Sequence, residues 1–168
     1  MKLQWKPAVT VAAVIEQDGL FFMVEEETSQ GLRINQPAGH LEAGESLLQA
    51  VAREALEETA HIFTPNALIG TYLIPNLSSN PQLRDDAERP AYLRFAFAGT
   101  LGAKQARSLD TGIVRTLWLS RADLAAQAER LRSPLVLRCI DDYLAGQRAP
   151  LSLLYCDDSI THGIPGAH

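Results

Sequence analysis

Apolar and polar positions along this 168-residue chain fall into blocks with distinct periods, and the blocks mark out its elements. "AVTVAAVIE" (8–16) and "LFFMVEE" (20–26) are rich in β-branched and aromatic residues and flank "QDG", which predicts a β-hairpin. The polar stretch 27–38 reads as a loop. Beyond it the period becomes helical: Ser46 with Gln49 three residues on forms a capping box, so a helix is expected from Leu47 to about Ala60. At about 100° per residue, Leu48, Ala52, Ala55, Leu56 and Thr59 share one face of this helix, while Glu54, Glu57 and Glu58 lie within an arc of about 100° on another. Further strands are expected at 67–74, 91–101 and 113–120, separated early by a long polar loop at 75–90. Helices follow at 121–130 and 134–145, the second with Ser133 as N-cap and Pro134 in its first position. The tail, 153–168, has no periodic pattern and is expected to be loosely held. This order of elements implies an α/β fold with a mixed sheet between helical layers. No linker, repeat or low-complexity run divides it, so a single domain over 1–168 is expected.

Composition narrows the function. With 46% hydrophobic and 21% charged residues the chain is an ordinary globular protein, and its net charge of −5 offers no basic patch for duplex nucleic acid. An anionic small-molecule substrate would need a metal to mask the repulsion. Cys139 and Cys156 have no metal-ligand spacing, and "MKLQWKPAVTVAAV" has no signal-peptide pattern, which together suggest a reducing, cytoplasmic setting. The apolar runs fall well short of the roughly 20 residues that span a bilayer, so no membrane partner is expected.

The acids near the helix end break two local rules. A helix C-terminus carries partial negative charge that repels carboxylates. Glu54 and Glu58 are also a like-charge pair four residues apart, and no Lys or Arg follows four residues after any of the three acids. A solvated surface is the usual explanation for a glutamate-rich face. The wider pattern goes further: Gly39, five residues, Glu45, seven residues, then "REALEE" (53–58) fixes six positions at set spacing. Three carboxylates at i, i+3 and i+4 suit a cation that prefers oxygen, above all Mg²⁺. Gly39 and Gly44 allow a tight turn before the helix, and Glu45 and Arg53 could pair to clamp that turn onto it.

This pattern resembles the signature of the Nudix hydrolases, complete in its charged positions from Gly39 to Glu58. Ala60 and His61 depart from the family's Gly-aliphatic ending, which implies a differently ended or slightly longer helix. Within the family, "NQPAGHLEAGE", "LRFAFA", "LRSPLV" and "GQRAPL" are similar to a NudJ-type phosphatase subgroup over roughly residues 7–154, apart from Ile34 at an expected Trp and a longer 75–90 loop. The resemblance implies an α/β/α sandwich and a Mg²⁺-dependent pyrophosphohydrolase or phosphatase, with Mn²⁺ as a possible substitute. Its substrates would be nucleoside tri- and diphosphates and a thiamine-pathway pyrimidine diphosphate. The alternatives are a nucleotide-sugar or ADP-ribose diphosphatase and a non-catalytic nucleotide-sensing module. By resemblance Glu57 and Glu58 ligate the metal with the carbonyl of Ala38, Glu54 ligates it or acts as general base, and Arg53 and Glu45 hold the geometry. Arg94, a charge in a strand expected to be buried, is the leading substrate contact, weighed evenly against a structural ion pair; Arg33 and His40 follow, each with a solvated loop position as the favoured alternative, and Tyr72 is favoured as core. Asp85, Asp86, Glu88 and Asp110 could supply a further metal ligand or base, though each alone reads as solvated loop charge, and Trp118 reads as core. The chain is expected to act as a monomer or small homo-oligomer.

Overall fold

The structure, a computed structural model, describes residues 5–75 and 91–162. The apolar 8–16 segment does not form a long hairpin with 20–26. Strand β1 (Ala8–Val14) instead lies between β5 (Ala38–His40), antiparallel to it, and β7 (Ala91–Lys104), parallel to it, and β6 (His61–Pro75) closes the sheet beyond β7. Only the two-residue β2 (Glu16–Gln17) turns back through Asp18 and Gly19 onto β3 (Leu20–Thr28). The chain thus changes sheets at Ile15. A second, antiparallel sheet is built on β3, which pairs with β2, β4 (Gly31–Asn35) and β8 (Ile113–Ser120).

Alternation along the mixed sheet explains why its strands look uniformly apolar. Val11, Ala13 and Phe97 join one core cluster with Ala50, Val51 and Ala55 of helix α1 (Leu47–Thr59). Val14, Ala96 and Ala98 join another with Val136, Cys139 and Ile140 of helix α3 (Leu135–Leu144). Helices cover both faces, so both sets of side chains are buried. The α/β/α sandwich expected from the sequence is present, with a second sheet that the pattern did not separate from the first.

Several boundaries differ for identifiable reasons. The expected loop 27–38 contains β4 and the first residue of β5, both too short to declare a period. Strand β6 begins at His61 rather than 67, because register shifts absorb Pro65 and carry the strand past it. The 121–130 helix is α2 (Arg121–Ala126) followed by a 3₁₀ turn at Ala128–Arg130. At α3, Pro134 is itself the N-cap, and the Ser133 hydroxyl accepts the Leu135 N–H at 3.3 Å. The tail carries a 3₁₀ turn, Leu151–Leu153, and a short α4 (Asp158–His162). Helix α1 is not lengthened by Ala60, which takes the left-handed conformation itself (φ 60°, ψ 15°) and returns its N–H to the Leu56 carbonyl. Trp118 is not core but 37% exposed, with its ring 4.7 Å from that of Phe22.

Candidate active site

Helix α1 starts on the capping box foreseen for it: the Ser46 hydroxyl accepts the Gln49 N–H and the Gln49 side chain accepts the Ser46 N–H. Its buried stripe is Ala50, Val51, Ala55 and Thr59, so the packed face lies slightly round from the one the spacing suggested. The acids stay on the other side, gathered by one cation. Arg53 donates from Nε and NH2 to both Glu45 oxygens at 2.9 and 2.7 Å, from NH1 to Glu54 at 2.8 Å and Glu57 at 3.0 Å, and from NH2 to the His40 carbonyl at 2.9 Å. The planar guanidinium is suited to this, because its donors point in a fixed fork. Glu45 is held below the usual carboxylate range chiefly by its hydrogen bond from Arg53, and the Arg53 pKa is raised by the same bond. Arg53 lies four residues before Glu57, so the cation that serves these acids precedes Glu57 on the helix rather than following it.

Gly39 and Gly44 have different jobs. Gly44 turns the chain with φ 90°. Gly39 needs no such angle; a Cβ there would sit 2.1 Å from the Glu54 carboxylate, so glycine is what lets Glu54 fold against β5. Next to it, the Ala38 N–H donates to Glu58 Oε2 at 2.9 Å. Burial nevertheless pushes the Glu58 carboxyl up to about 8, with Glu54, Glu26 and Asp110 adding repulsion. Burial also raises Glu54, against the pull of Arg53. Asp110 is brought to this helix end, its N–H donating to the Glu57 carbonyl at 3.0 Å; Asp85, Asp86 and Glu88 lie outside the described residues.

Negative charge is therefore concentrated beyond what Arg53 neutralises, on oxygen donors only, which fits a hard divalent cation held by Glu54, Glu57 and Glu58. Among the described residues no three His, Cys, Asp or Glu side chains are already gathered at metal-holding distances. Arg53 engages Glu54 and Glu57, and Glu58 is turned to Ala38.

A cavity of about 890 Å³ adjoins this helix across β5, lined by Ala38, Gly39 and His40 on that side. Arg94 of β7, in register with Thr10 on β1 and Tyr72 on β6, projects into it. Its Nε and NH1 are buried and have no hydrogen-bond partner among the described residues. Burial lowers its pKa from the ordinary arginine value, opposed by Cys139, Glu26 and Glu58. The same cavity collects Thr10 Oγ1, Glu26 Oε1 and Asn35 Oδ1, also buried without hydrogen bonds. Arg132 Nε comes within 3.3 Å of Glu26 Oε1 as an ion pair, but not in hydrogen-bonding geometry. Burial raises the Glu26 pKa, opposed by Arg132, Asn35 and Arg94.

Of the substrate contacts read from the sequence, the structure brings Arg94 and His40 to the cavity and leaves two outside. Tyr72 packs on the core and donates its hydroxyl to Asp142 at 2.9 Å, and Arg33 donates to the neighbouring Leu32 carbonyl at 3.0 Å. Ile34 is buried in the core, so the expected aromatic would not have faced the cavity from this position. Thr10, Glu26 and Asn35 were missed. The available signal was polarity inside apolar strands, namely one Thr in "AVTVAAV" and consecutive acids in "MVEEET".

A NUDIX domain model matches residues 5–139. The chain is 38% identical over 153 residues to "Phosphatase NudJ" of Escherichia coli strain K12 and of Shigella flexneri, covering 89% of this chain and 92% of each relative. A solved Nudix hydrolase from Nitrosomonas europaea is 47% identical, with a TM-score of 0.83 over 91% of this chain and 99% of that one. A UDP-X diphosphatase shares the fold, with a TM-score of 0.66 at 19% identity. The signature from Gly39 to Glu58, the Arg53-centred acids and these matches agree: the chain belongs to the Nudix family and is a hydrolase of phosphoanhydride bonds.

Proposed function

We propose that this chain is a Mg²⁺-dependent phosphatase and pyrophosphohydrolase of the NudJ type, acting on nucleoside tri- and diphosphates and on pyrimidine-methyl diphosphates. The observation that carries this reading is the acid-rich end of α1 set directly beside a cavity that has an arginine inside it. Glu54, Glu57 and Glu58, with the Ala38 carbonyl beside them, would hold the metal; Mn²⁺ could replace Mg²⁺. Such a cation supplies neutralisation of phosphate oxygens and a lowered pKa for water. Glu54 is a fitting general base because burial raises its affinity for a proton while Arg53 still orients it. Arg53 and Glu45 position the acids without touching substrate. Arg94 and His40 contact the substrate. Gly39 lets β5 lie directly against Glu54, which leaves that carboxylate mostly buried.

The test is release of phosphate or diphosphate across nucleoside di- and triphosphates, nucleotide sugars, ADP-ribose and a pyrimidine-methyl diphosphate, with Mg²⁺, Mn²⁺ or chelator, and with Glu57→Gln as control. Metal-dependent turnover of terminal-phosphate substrates, lost in Glu57→Gln, is expected. Turnover confined to nucleotide sugars or ADP-ribose would replace the substrate class. Ligand binding with no turnover of any compound would make the chain a nucleotide-sensing module.

A further inference from the structure

The cavity beside the acids is unusual in what it leaves unpaired. A buried polar atom without a partner costs about 1–3 kcal/mol, so such atoms are few in a folded protein and rarely cluster. Here atoms of Thr10, Glu26, Asn35 and Arg94 are buried without hydrogen bonds, and all four residues line one cavity. They come from four strands, β1, β3, β4 and β7, so no local turn or cap accounts for them. A ligand that satisfies them together would recover the cost.

The chemistry of the set limits that ligand. Arg94 offers donors from Nε and NH1, while Glu26 Oε1 and Asn35 Oδ1 offer acceptors. An ionised phosphate presents acceptors only. It would satisfy Arg94 but leave Glu26 Oε1 and Asn35 Oδ1 without hydrogen bonds and place negative charge beside a carboxylate. A planar nitrogen heterocycle carries donor and acceptor on one edge and matches both halves. Part of the remaining lining, Tyr92, Leu131, Pro134, Leu135 and Leu137, suits a flat apolar body, while Arg132 and Arg138 add charge to the wall. The β5 segment 38–40 lines the cavity and also touches Glu58 and Glu54, so a substrate with its ring inside would extend its phosphates over β5 toward the acids.

We propose, building on the enzymatic reading above, that the cavity holds the heterocyclic end of the substrate and reads an amino-bearing edge. Glu26 and Asn35 accept from the exocyclic amino group, Arg94 donates to the adjacent ring nitrogen or oxo group, and Thr10 completes the set. The reading selects amino over oxo heterocycles, because replacing the amino group by an oxo group sets an oxygen against two oxygens. A site built around such hydrogen bonds rejects the mismatched analogue strongly.

The experiment uses the full chain with chelator present and phosphate-free probes: cytidine against uridine, and adenosine against inosine, by ligand-observed NMR titration. Each amino compound is expected to bind at least tenfold more tightly than its oxo counterpart. Glu26→Gln, which conserves shape and adds a donor, and Asn35→Leu, which removes the acceptor and is a second change in case the first does not fold, are each expected to shrink that ratio at least fivefold. Equal binding of amino and oxo compounds, no binding of any nucleoside at millimolar concentration, or displacement of cytidine by inorganic phosphate would overturn the proposal. So would an unaltered ratio in both folded variants. Because the probes carry no phosphate, this result is independent of turnover: absent hydrolysis with selective nucleoside binding would overturn the enzymatic reading alone, and hydrolysis without selective binding would overturn this one alone.

Discussion

The end of α1 and the cavity on the other side of β5 are both rich in charge, yet they are built on opposite principles. On the helix, Arg53 donates to Glu45, Glu54 and Glu57 and to the His40 carbonyl, so one guanidinium ties three acids and a strand together. In the cavity, Thr10, Glu26, Asn35 and Arg94 contribute buried atoms with no hydrogen bonds. The first region is organised before any ligand arrives. The second is completed by what binds. Removing a part should therefore damage the helix site, whereas removing an unmet group from the cavity should stabilise the free protein.

The largest effect is expected from Gly39→Ala. Its Cβ would fall 2.1 Å from the Glu54 carboxylate, and either the side chain or β5 must give way. Because a displacement of about 1 Å in a reacting group can cost about 100-fold in rate, kcat should fall about that far. KM should move much less. A kcat within threefold of the parent would mean that the position of Glu54 against β5 is not needed for turnover.

Arg53→Lys tests the other half of the helix site. A single ammonium cannot reproduce the two bonds to Glu45 together with those to Glu54, Glu57 and His40, so the variant should lose about 2 kcal/mol of stability. Denaturant unfolding measures this directly. A loss below about 0.5 kcal/mol would reduce the cluster to ordinary surface ion pairing.

Those two residues also show how much was legible beforehand. Gly39, Glu45, Arg53, Glu54, Glu57 and Glu58 lie within twenty consecutive positions, and a helix converts fixed spacing into fixed geometry, so the Glu45–Arg53 clamp could be read from the chain. Its extent could not, because the fork of Arg53 also reaches His40, and that contact depends on where β5 is held by β1. The cavity was largely illegible. Arg94 stood out as a charge in an apolar strand, but Thr10, Glu26 and Asn35 become its neighbours only through pairing between strands far apart in sequence. The sheet switch at Ile15 hid in the same way: an apolar run feeding a turn looks like a hairpin whether or not its first half leaves for another sheet.

Glu25, one residue from Glu26, offers an internal control within β3. It is buried, but Arg115 at 2.7 Å and Arg130 both hydrogen-bond it, and its pKa is lowered chiefly by the Arg115 bond despite the cost of burial. A carboxyl whose folded pKa lies below its unfolded value contributes stability that is present above about 4.5 and lost as pH falls through the folded value. Stability should accordingly drop as pH falls below about 4.5, and Glu25→Gln should flatten that part of the profile and cost about 1–2 kcal/mol at neutral pH. Thermal melts against pH of both proteins provide the comparison; superimposable profiles below pH 4.5 would remove Glu25 from the account.

Thr10→Val inverts the sign. Valine keeps the shape of the side chain and removes a buried hydroxyl that has no partner, so the ligand-free protein should gain about 0.5–1 kcal/mol. At about 2–4 °C per kcal/mol for a chain of this length, the melting temperature should rise by a degree or more. A fall would mean that the hydroxyl is already satisfied in solution, and the contrast between the two regions would weaken by that much.

The smallest effect is expected where the chain departs from its family signature. Ala60 adopts φ 60°, a conformation that disfavours a Cβ by about 1–2 kcal/mol, so Ala60→Gly removes strain from the end of α1. Yet Ala60 is fully buried, and deleting its methyl forfeits about 0.8 kcal/mol of burial, while the freer unfolded chain takes back about 0.4–1 kcal/mol more. The terms nearly cancel, and the melting temperature should move by less than about 3 °C in either direction. The helix already ends at Thr59 with the Ala60 N–H bonded to Leu56, so glycine would not change the path into β6 or the placement of Glu57 and Glu58. A large gain in stability would show that strain dominates at this cap, whereas a large loss would show that the methyl is a packing element that this chain uses where the signature has a glycine.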